Sequence, residues 1–261
     1  MNIVHGQAQH SEAPWPARRA TPQERTRPCC GFTPPDGGEQ HRRALTRELI
    51  VAEALAIIAA DGAAALSMRA LAARLGVVPG ALYRHVRSKE QLYDLAADSV
   101  LAEVDTRPGR ALDWTEQVRV LARRLRAVLE DHPGIAALLK TRDPLGPHSL
   151  ALAEAFLAAL QRAGLSPQET ALAYSVVHDY TLGFALADRT TVSEQRVRDT
   201  ATRRHLHAFL RSLPAGQFPA LAALGQHVWA GNRDQRFTAG LDIILAGLNA
   251  ARQPGSPPPG P

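Results

Sequence analysis

The chain has 261 residues, enough to bury a sizeable core and to form one or two domains. It is rich in alanine and leucine and only 5% aromatic, which suits packed helices, and its net charge of +5 is small enough that position matters more than total. No apolar run approaches the ~18 residues of a membrane span, and two cysteines cannot staple a chain of this size, so a membrane-spanning protein and a disulfide scaffold are both excluded and a cytoplasmic location is expected.

Residues 1–43 mix His, Pro, Gly, Arg and Gln without apolar periodicity and read as a disordered tail. They hold no apolar segment of signal-peptide kind. The tail is either inert or adds phosphate contacts through Arg18, Arg19, Arg25, Arg27, Arg42 and Arg43. Cys29 and Cys30 lie within it with no third ligand nearby, which speaks against a metal or redox site. The first helix is expected over about Thr46–Ala60. Ile50, Ala54, Ile57 and Ile58 form its stripe, Val51 and Leu55 lie beside it, and Asp61-Gly62 ends it.

The next stretch, Ser67–Lys89, reads as two short helices around a tight turn. Ser67 is placed to cap a helix to Leu75 whose Met68, Leu71, Ala72 and Leu75 face inward, and Gly76 follows where a left-handed residue stops it. Pro79 fits the first turn of a second helix carrying Ala81, Leu82, Tyr83, Arg84, His85 and Val86. From Gly62 to Lys89 the chain holds Arg69, Arg74, Arg84, Arg87 and Lys89 and not one Asp or Glu. Paired helices in a one-signed positive field suit a polyanion, so the unit looks like a helix-turn-helix whose second helix enters the DNA major groove. An αα-hairpin packed in a core, its arginines a solvated rim, has the same pattern.

Ser88-Lys89-Glu90-Gln91 is a capping box that opens a helix to about Val104, with Leu92, Leu95, Ala96 and Ser99 at helical spacing. Arg107-Pro108-Gly109 breaks the chain and divides a segment 44–104 from one over 110–251. The second segment is helical throughout. Asp113 with Glu116 starts a helix, His132-Pro133-Gly134 ends it and starts a short one over Ile135–Lys140, and a further amphipathic helix spans Ser149–Ala163. Ser166-Pro167-Gln168-Glu169 opens a nearly all-apolar helix to about Ala187, which is expected to be buried on most faces. One helix around Arg196–Ser212 and a mobile loop are expected next. A last helix over Asp234–Ala250 carries Phe237, Leu241, Ile244, Leu245 and Leu248 on one side, with Gly240 and Gly247 open to a partner backbone; 252–261 is a Pro- and Gly-rich tail read as disordered.

The stretch Leu45–Val104 resembles the DNA-binding domain of the TetR (tetracycline-repressor-like) family in its helix ending at Asp61-Gly62, its Ser-Met-Arg, Leu-Gly-Val and Leu-Tyr-Arg-His-Val, and its Lys-Glu-Gln-Leu. The helix order from Leu112 to Ala250 resembles the C-terminal domain of the tetracycline-repressor branch, through Lys140-Thr141-Arg142, His178–Gly183 and Phe237–Leu248. The resemblance implies an all-α, dimeric, ligand-responsive repressor of a palindromic operator, with 44–104 as the DNA-binding head and 110–251 as the effector-binding and dimerisation domain. The helix from Lys89 would link head to body, and Ala171–Ala187 with Asp234–Ala250 would pair with their mates in a four-helix interface. An activator on the same fold, or an all-α protein–protein interaction module, stays open as an alternative.

For the head, Arg69 is the expected reader of a guanine edge, Pro79 and Ala81 offer apolar contact to thymine methyls, and Ser67, Tyr83, His85 and Lys89 meet the backbone. Thr46 and Arg47 would meet a phosphate at the start of the first helix. For the effector, the expected lining is Leu138, Thr141, Phe156, Val177, His178, Tyr180, Thr181 and Phe184, residues that suit a packed core equally well. Where the branch has a metal-coordinating histidine this chain has Leu138. Its metal-linked glutamate falls near Ala187, Asp105 stands where a histidine touches the drug, and only Thr141 is retained. No metal or cofactor is therefore expected, a tetracycline–Mg²⁺ site is disfavoured, and the effector should be a different, more apolar small molecule, if one binds. No catalytic constellation is found: His178 and Asp179 are sequence neighbours that a helix splays about 100° apart, and His205 and His207 are wrongly spaced for one face.

Overall fold

Short-range capping chemistry sets the helix starts. Thr46, Ser67, Ser88, Asp113 and Asn232 each accept a hydrogen bond from the backbone N–H three residues on. Ser166 and Glu169 exchange bonds in a reciprocal box, which holds the Glu169 carboxyl below its usual range, the Ser166 hydroxyl contributing most. The computed structural model describes residues 44–132, 134–142, 144–190, 200–214, 216–225, 227 and 231–251. The tails 1–43 and 252–261, with Cys29, Cys30 and the tail arginines, lie outside the described residues, as does 191–199, where part of the expected loop falls.

Eleven α-helices and one 3₁₀ turn, with no strand, make up the described residues. The first four are α1 (Arg47–Asp61), α2 (Met68–Leu75), α3 (Pro79–Leu82) and α4 (Lys89–Leu101), with the 3₁₀ turn Ala63–Ala65 after Gly62. The bundle that follows is α5 (Trp114–Asp131), α6 (Ile135–Thr141), α7 (Pro147–Gln161) and α8 (Pro167–Thr190). Beyond it come α9 (Thr200–Ser212), α10 (Pro219–Leu224) and α11 (Arg233–Ala250). From Leu45 on these elements belong to one compact unit. Helices α1 to α4 pack around Ile50, Ala54, Ile57, Leu66, Leu71, Leu82 and Leu92; α5, α7 and α8 pack on one another around Val118, Leu121, Leu125, Phe156, Leu160 and Val177. No described helix is long and apolar enough to cross a membrane.

Several expectations are corrected. The second helix of the helix-turn-helix ends at Leu82 rather than running to Val86: the N–H groups of Arg84 and His85 bond three residues back, to Ala81 and Leu82, so Tyr83–His85 form a tight turn. Helix α4 stops at Leu101, short of Val104, and an unforeseen short helix, α10, follows α9. Helix α8 is not buried on most faces, because Leu172 is 60% and Val176 50% exposed. Gly240 is not open: a Cβ there would overlap the Tyr180 ring of the same chain, so the glycine makes room for that ring, while Gly247 has nothing near it.

Helix α4 is the element shared by both halves. It packs on α1 and also on α5, α6 and α7. The Tyr93 hydroxyl donates to the Ala63 carbonyl at 2.6 Å, tying α4 to the head. Toward the body, Arg142 pairs with Asp94 at 3.0 Å and His132 with Glu103 at 2.9 Å. The Asp98 carboxylate, buried on α4, accepts from the N–H groups of His148 (3.1 Å) and Ser149 (2.9 Å) and lies 2.9 Å from His148 Nδ1. Helix α7 has no cap of its own at Gly146, so an acid from another helix caps it.

Candidate nucleic-acid interface

The basic unit is held from behind and open in front. Leu71, Ala72, Leu82 and Val86 are buried, where α2 packs on α1 and α3 on α2. Gly76 takes φ 66°, a left-handed value that closes α2 and turns the chain into α3. With the apolar face committed inward, Arg69, Arg84 and Arg87 are exposed, and among the described residues no acidic side chain pairs with any of them. Arg74 is instead bound to Glu53 at 2.6 Å, which fixes α2 on α1.

Each predicted head residue reaches the surface. Thr46 and Arg47 are exposed at the start of α1, where Glu48 is held below the usual carboxylate range by its own backbone N–H and then by the Thr46 hydroxyl. Ser67 and Arg69 are exposed at the start of α2, and Pro79 is exposed and Ala81 half-buried on α3. Tyr83 is 53% exposed in the turn, with His85 half-buried beside it. Lys89 sits half-buried at the start of α4 with its Nζ 5.1 Å from the centre of the Tyr93 ring. Sequence reasoning passed over Val78, which is 70% exposed directly before Pro79. The readable signal was a large apolar residue off the buried stripe inside a basic stretch.

Among the described residues, the eight predicted effector residues fall into separate surroundings. Leu138, Phe156, Val177 and Thr181 are buried, and Thr181 donates to the Val177 carbonyl at 2.8 Å. Thr141 is exposed and its hydroxyl turns back to the carbonyls of Ala137 and Leu138, so helix geometry takes it off the wall. The α8 aromatics split into two groups about 120° apart around the helix. His178 joins Phe156 through Tyr174, with ring centres 5.6 and 6.2 Å apart. Tyr180 and Phe184 meet Phe237 of α11, whose ring also carries the buried Arg126 guanidinium at 4.7 Å. The Tyr180 hydroxyl donates to the Arg236 and Phe237 carbonyls, and burial raises its pKa above the ordinary phenol value. A cleft of about 200 Å³ between α5 and α11, beside Arg126, Asp234 and Phe237, contains none of the eight.

Residues 50–96 match the family described as bacterial regulatory proteins, tetR family, and residues 108–252 the tetracyclin repressor-like C-terminal domain. The chain belongs to the TetR family. An HTH-type transcriptional regulator of Saccharopolyspora erythraea is 35% identical over 217 residues, 83% of this chain and 89% of that one. The HTH-type transcriptional repressor DrrR1 of Streptomyces coeruleorubidus is 30% identical over 210 residues, 78% and 77% of the two chains. The crystal structure of apo ActR from Streptomyces coelicolor superposes with a TM-score of 0.70 at 35% identity, covering 80% of this chain and 96% of that one, and ActR has also been solved in complex with actinorhodin. This TetR-family protein is by class a DNA-binding transcriptional regulator.

Within the TetR family the positions tied to a drug–metal chelate carry other chemistry here. Leu138 is aliphatic and buried, and Asp105 is bound to Arg107 and Arg124 at 3.2 and 3.1 Å. Among the described residues no three His, Cys, Asp or Glu converge as metal ligands. A leucine at 138 offers no ligand atom, so the position that the resemblance gives to a metal-coordinating histidine cannot serve a tetracycline–Mg²⁺ complex.

Proposed function

We propose that this chain binds a palindromic operator as a homodimer through the α2–α3 unit and is released by a small, largely apolar effector held in the α5–α8 body. The observation that carries the reading is the division of the α2–α3 surface: Leu71, Ala72, Leu82 and Val86 are turned inward, while Arg69, Arg84 and Arg87, with no acidic partner among the described residues, are turned out around a short apolar strip at Val78. One head reaches only one half-site, whereas a two-fold dimer presents two, about 34–36 Å apart. Leu172 and Val176 on α8 and Ile243 on α11, the last 73% exposed, supply an apolar surface on two helices that pack together, as a two-fold interface requires.

In this reading Arg69 contacts a guanine edge. Ser67, Tyr83, His85, Lys89, Thr46 and Arg47 contact backbone phosphates, and Pro79 and Ala81 make apolar contact. Leu138, Phe156, Val177, His178 and Thr181, joined by Tyr174, form the effector wall, and Tyr180 and Phe184 brace α11. That ActR is solved with actinorhodin bound supports a small-molecule effector here. The chain functions inside the cell on its DNA, with no catalytic step. The test is selection of bound sequences from random duplexes by the full chain, followed by titration with candidate effectors. Recovery of an inverted repeat supports the reading; a chain that retains no duplex at low ionic strength refutes it.

A further inference from the structure

The reading helix has an unusual chemical make-up. From Val77 to Leu82 the side chains are Val, Val, Pro, Gly, Ala and Leu, and not one carries a hydrogen-bond donor or acceptor. Leu82 is buried and Val77 half-buried, so the face offered outward is Val78, 70% exposed, with Pro79, Gly80 and Ala81. Apart from its chain neighbours and its own helix backbone, nothing lies within 4 Å of where a Gly80 side chain would begin. This apolar strip is flanked by exposed Arg69, Arg84 and Arg87, so its surroundings favour a polyanion over an apolar protein surface.

In the major groove each base pair shows donors and acceptors, and thymine alone of the four standard bases adds a methyl group at C5. Side chains without polar atoms cannot pair with N7, O6, N6, N4 or O4; pressed on those edges they only strip water from them, at a cost. The one favourable partner for such a strip is a C5 methyl. Resting on the DNA-binding reading above, we infer that α3 reads the operator by C5-methyl groups, with Val78 as a specificity-determining contact, while polar base readout is left to Arg69 on α2. Since 5-methylcytosine carries the same methyl in the same place, α3 distinguishes it from cytosine, and operator occupancy responds to cytosine methylation at those steps.

The experiment is an anisotropy titration of the full chain on its selected operator, with each thymine replaced in turn by uracil and cytosine compared with 5-methylcytosine at the same steps. Loss of one buried methyl corresponds to about a fourfold weaker complex. One or two thymines per half-site should show that loss. At those steps a 5-methylcytosine·guanine pair should bind about fourfold tighter than cytosine·guanine. Val78→Ala, a change at a surface position, should erase the thymine–uracil difference at one of the steps and leave the others. Equal binding of thymine and uracil duplexes overturns the inference alone, as does a uracil effect unchanged in Val78→Ala and Ala81→Gly, which would place it in the DNA. A chain that binds no duplex overturns this and the reading it rests on together.

Discussion

Asp98→Ala is the most informative single change in the body of the protein. The carboxylate is 8% exposed and serves as the cap that α7 lacks, accepting from two backbone N–H groups at 3.1 and 2.9 Å and from the His148 ring at 2.9 Å. Loss of an N-cap acceptor costs about 0.5–2 kcal/mol, and a buried donor left unsatisfied costs about 1–3 kcal/mol. The His148 ring is half exposed and can turn to water, so only the two backbone donors are stranded. The expected loss is about 2–4 kcal/mol. At about 2–4 °C per kcal/mol for a chain of this size, that is a fall in Tm of roughly 5–15 °C by scanning calorimetry. Asp98→Asn keeps an acceptor oxygen for the N–H groups and should lose about 1 kcal/mol. A Cβ at Gly146 would overlap the Asp98 carboxylate, so Gly146→Ala should repeat the alanine phenotype without touching the acid. A Tm for Asp98→Ala within 1 °C of the parent would refute the reasoning, and so would an asparagine variant as unstable as the alanine one.

Arg69→Ala should relax preference at one operator base pair at a cost of about 1–3 kcal/mol there; a base-by-base affinity profile that does not change would remove Arg69 from the readout. Lys89→Ala should weaken all sequences alike and make the slope of log affinity against log salt shallower by about one, and a loss confined to one sequence would contradict a phosphate role. Ile243→Asp should dissociate the dimer. By symmetry it removes two apolar side chains worth about 1.5–3 kcal/mol each, a hundredfold or more in the dissociation constant by sedimentation, and an unaltered dimer would move the interface elsewhere.

What could be read from the sequence is what local chemistry decides. The caps at Ser67, Ser88, Asp113 and Ser166 and the stops at Gly62 and Gly76 depend on residues within a few positions and lie where the pattern put them, while Thr46, expected as the first helical residue, stands one position outside α1 as its cap. The buried stripe of α1 followed from its 3.6-residue period, as did the inward face of α2. The early end of α3 did not, because Tyr83, Arg84 and His85 are acceptable helix formers and no Gly or Pro marks the turn they make. Asp98 was invisible for another reason: its partners lie 50 and 51 residues away, and nothing in Leu95–Leu101 marks an acid that points inward. Gly240 illustrates the same limit, since a glycine on an apolar helix signals a close approach but not whose side chain makes it; the Tyr180 ring fills it from 60 positions back.

The long-range contacts of Asp94, Asp98 and Glu103 matter because they converge on α4 and the turn that follows it. One end of that helix carries Lys89 and is fastened to the head by Tyr93, while Asp94 and Asp98 fasten its length to the end of α6 and the start of α7, and Glu103, just beyond it, to the end of α5. The Arg142–Asp94 ion pair and the His132–Glu103 contact are partly exposed and tolerate small shifts, as exposed polar pairs contribute little and bend easily. The Asp98 cap does not. Two backbone donors and a buried carboxylate hold hydrogen-bond geometry only within a few tenths of an ångström of about 3 Å. A ligand that shifts the start of α7 against α4 must therefore either break the cap, at about the cost worked out for Asp98→Ala, or carry α4 with it. A coupling energy between effector and operator of the usual 1–3 kcal/mol reaches only the lower part of that cost of about 2–4 kcal/mol, so moving α4, and with it the spacing of the two heads in the proposed dimer, is the cheaper response.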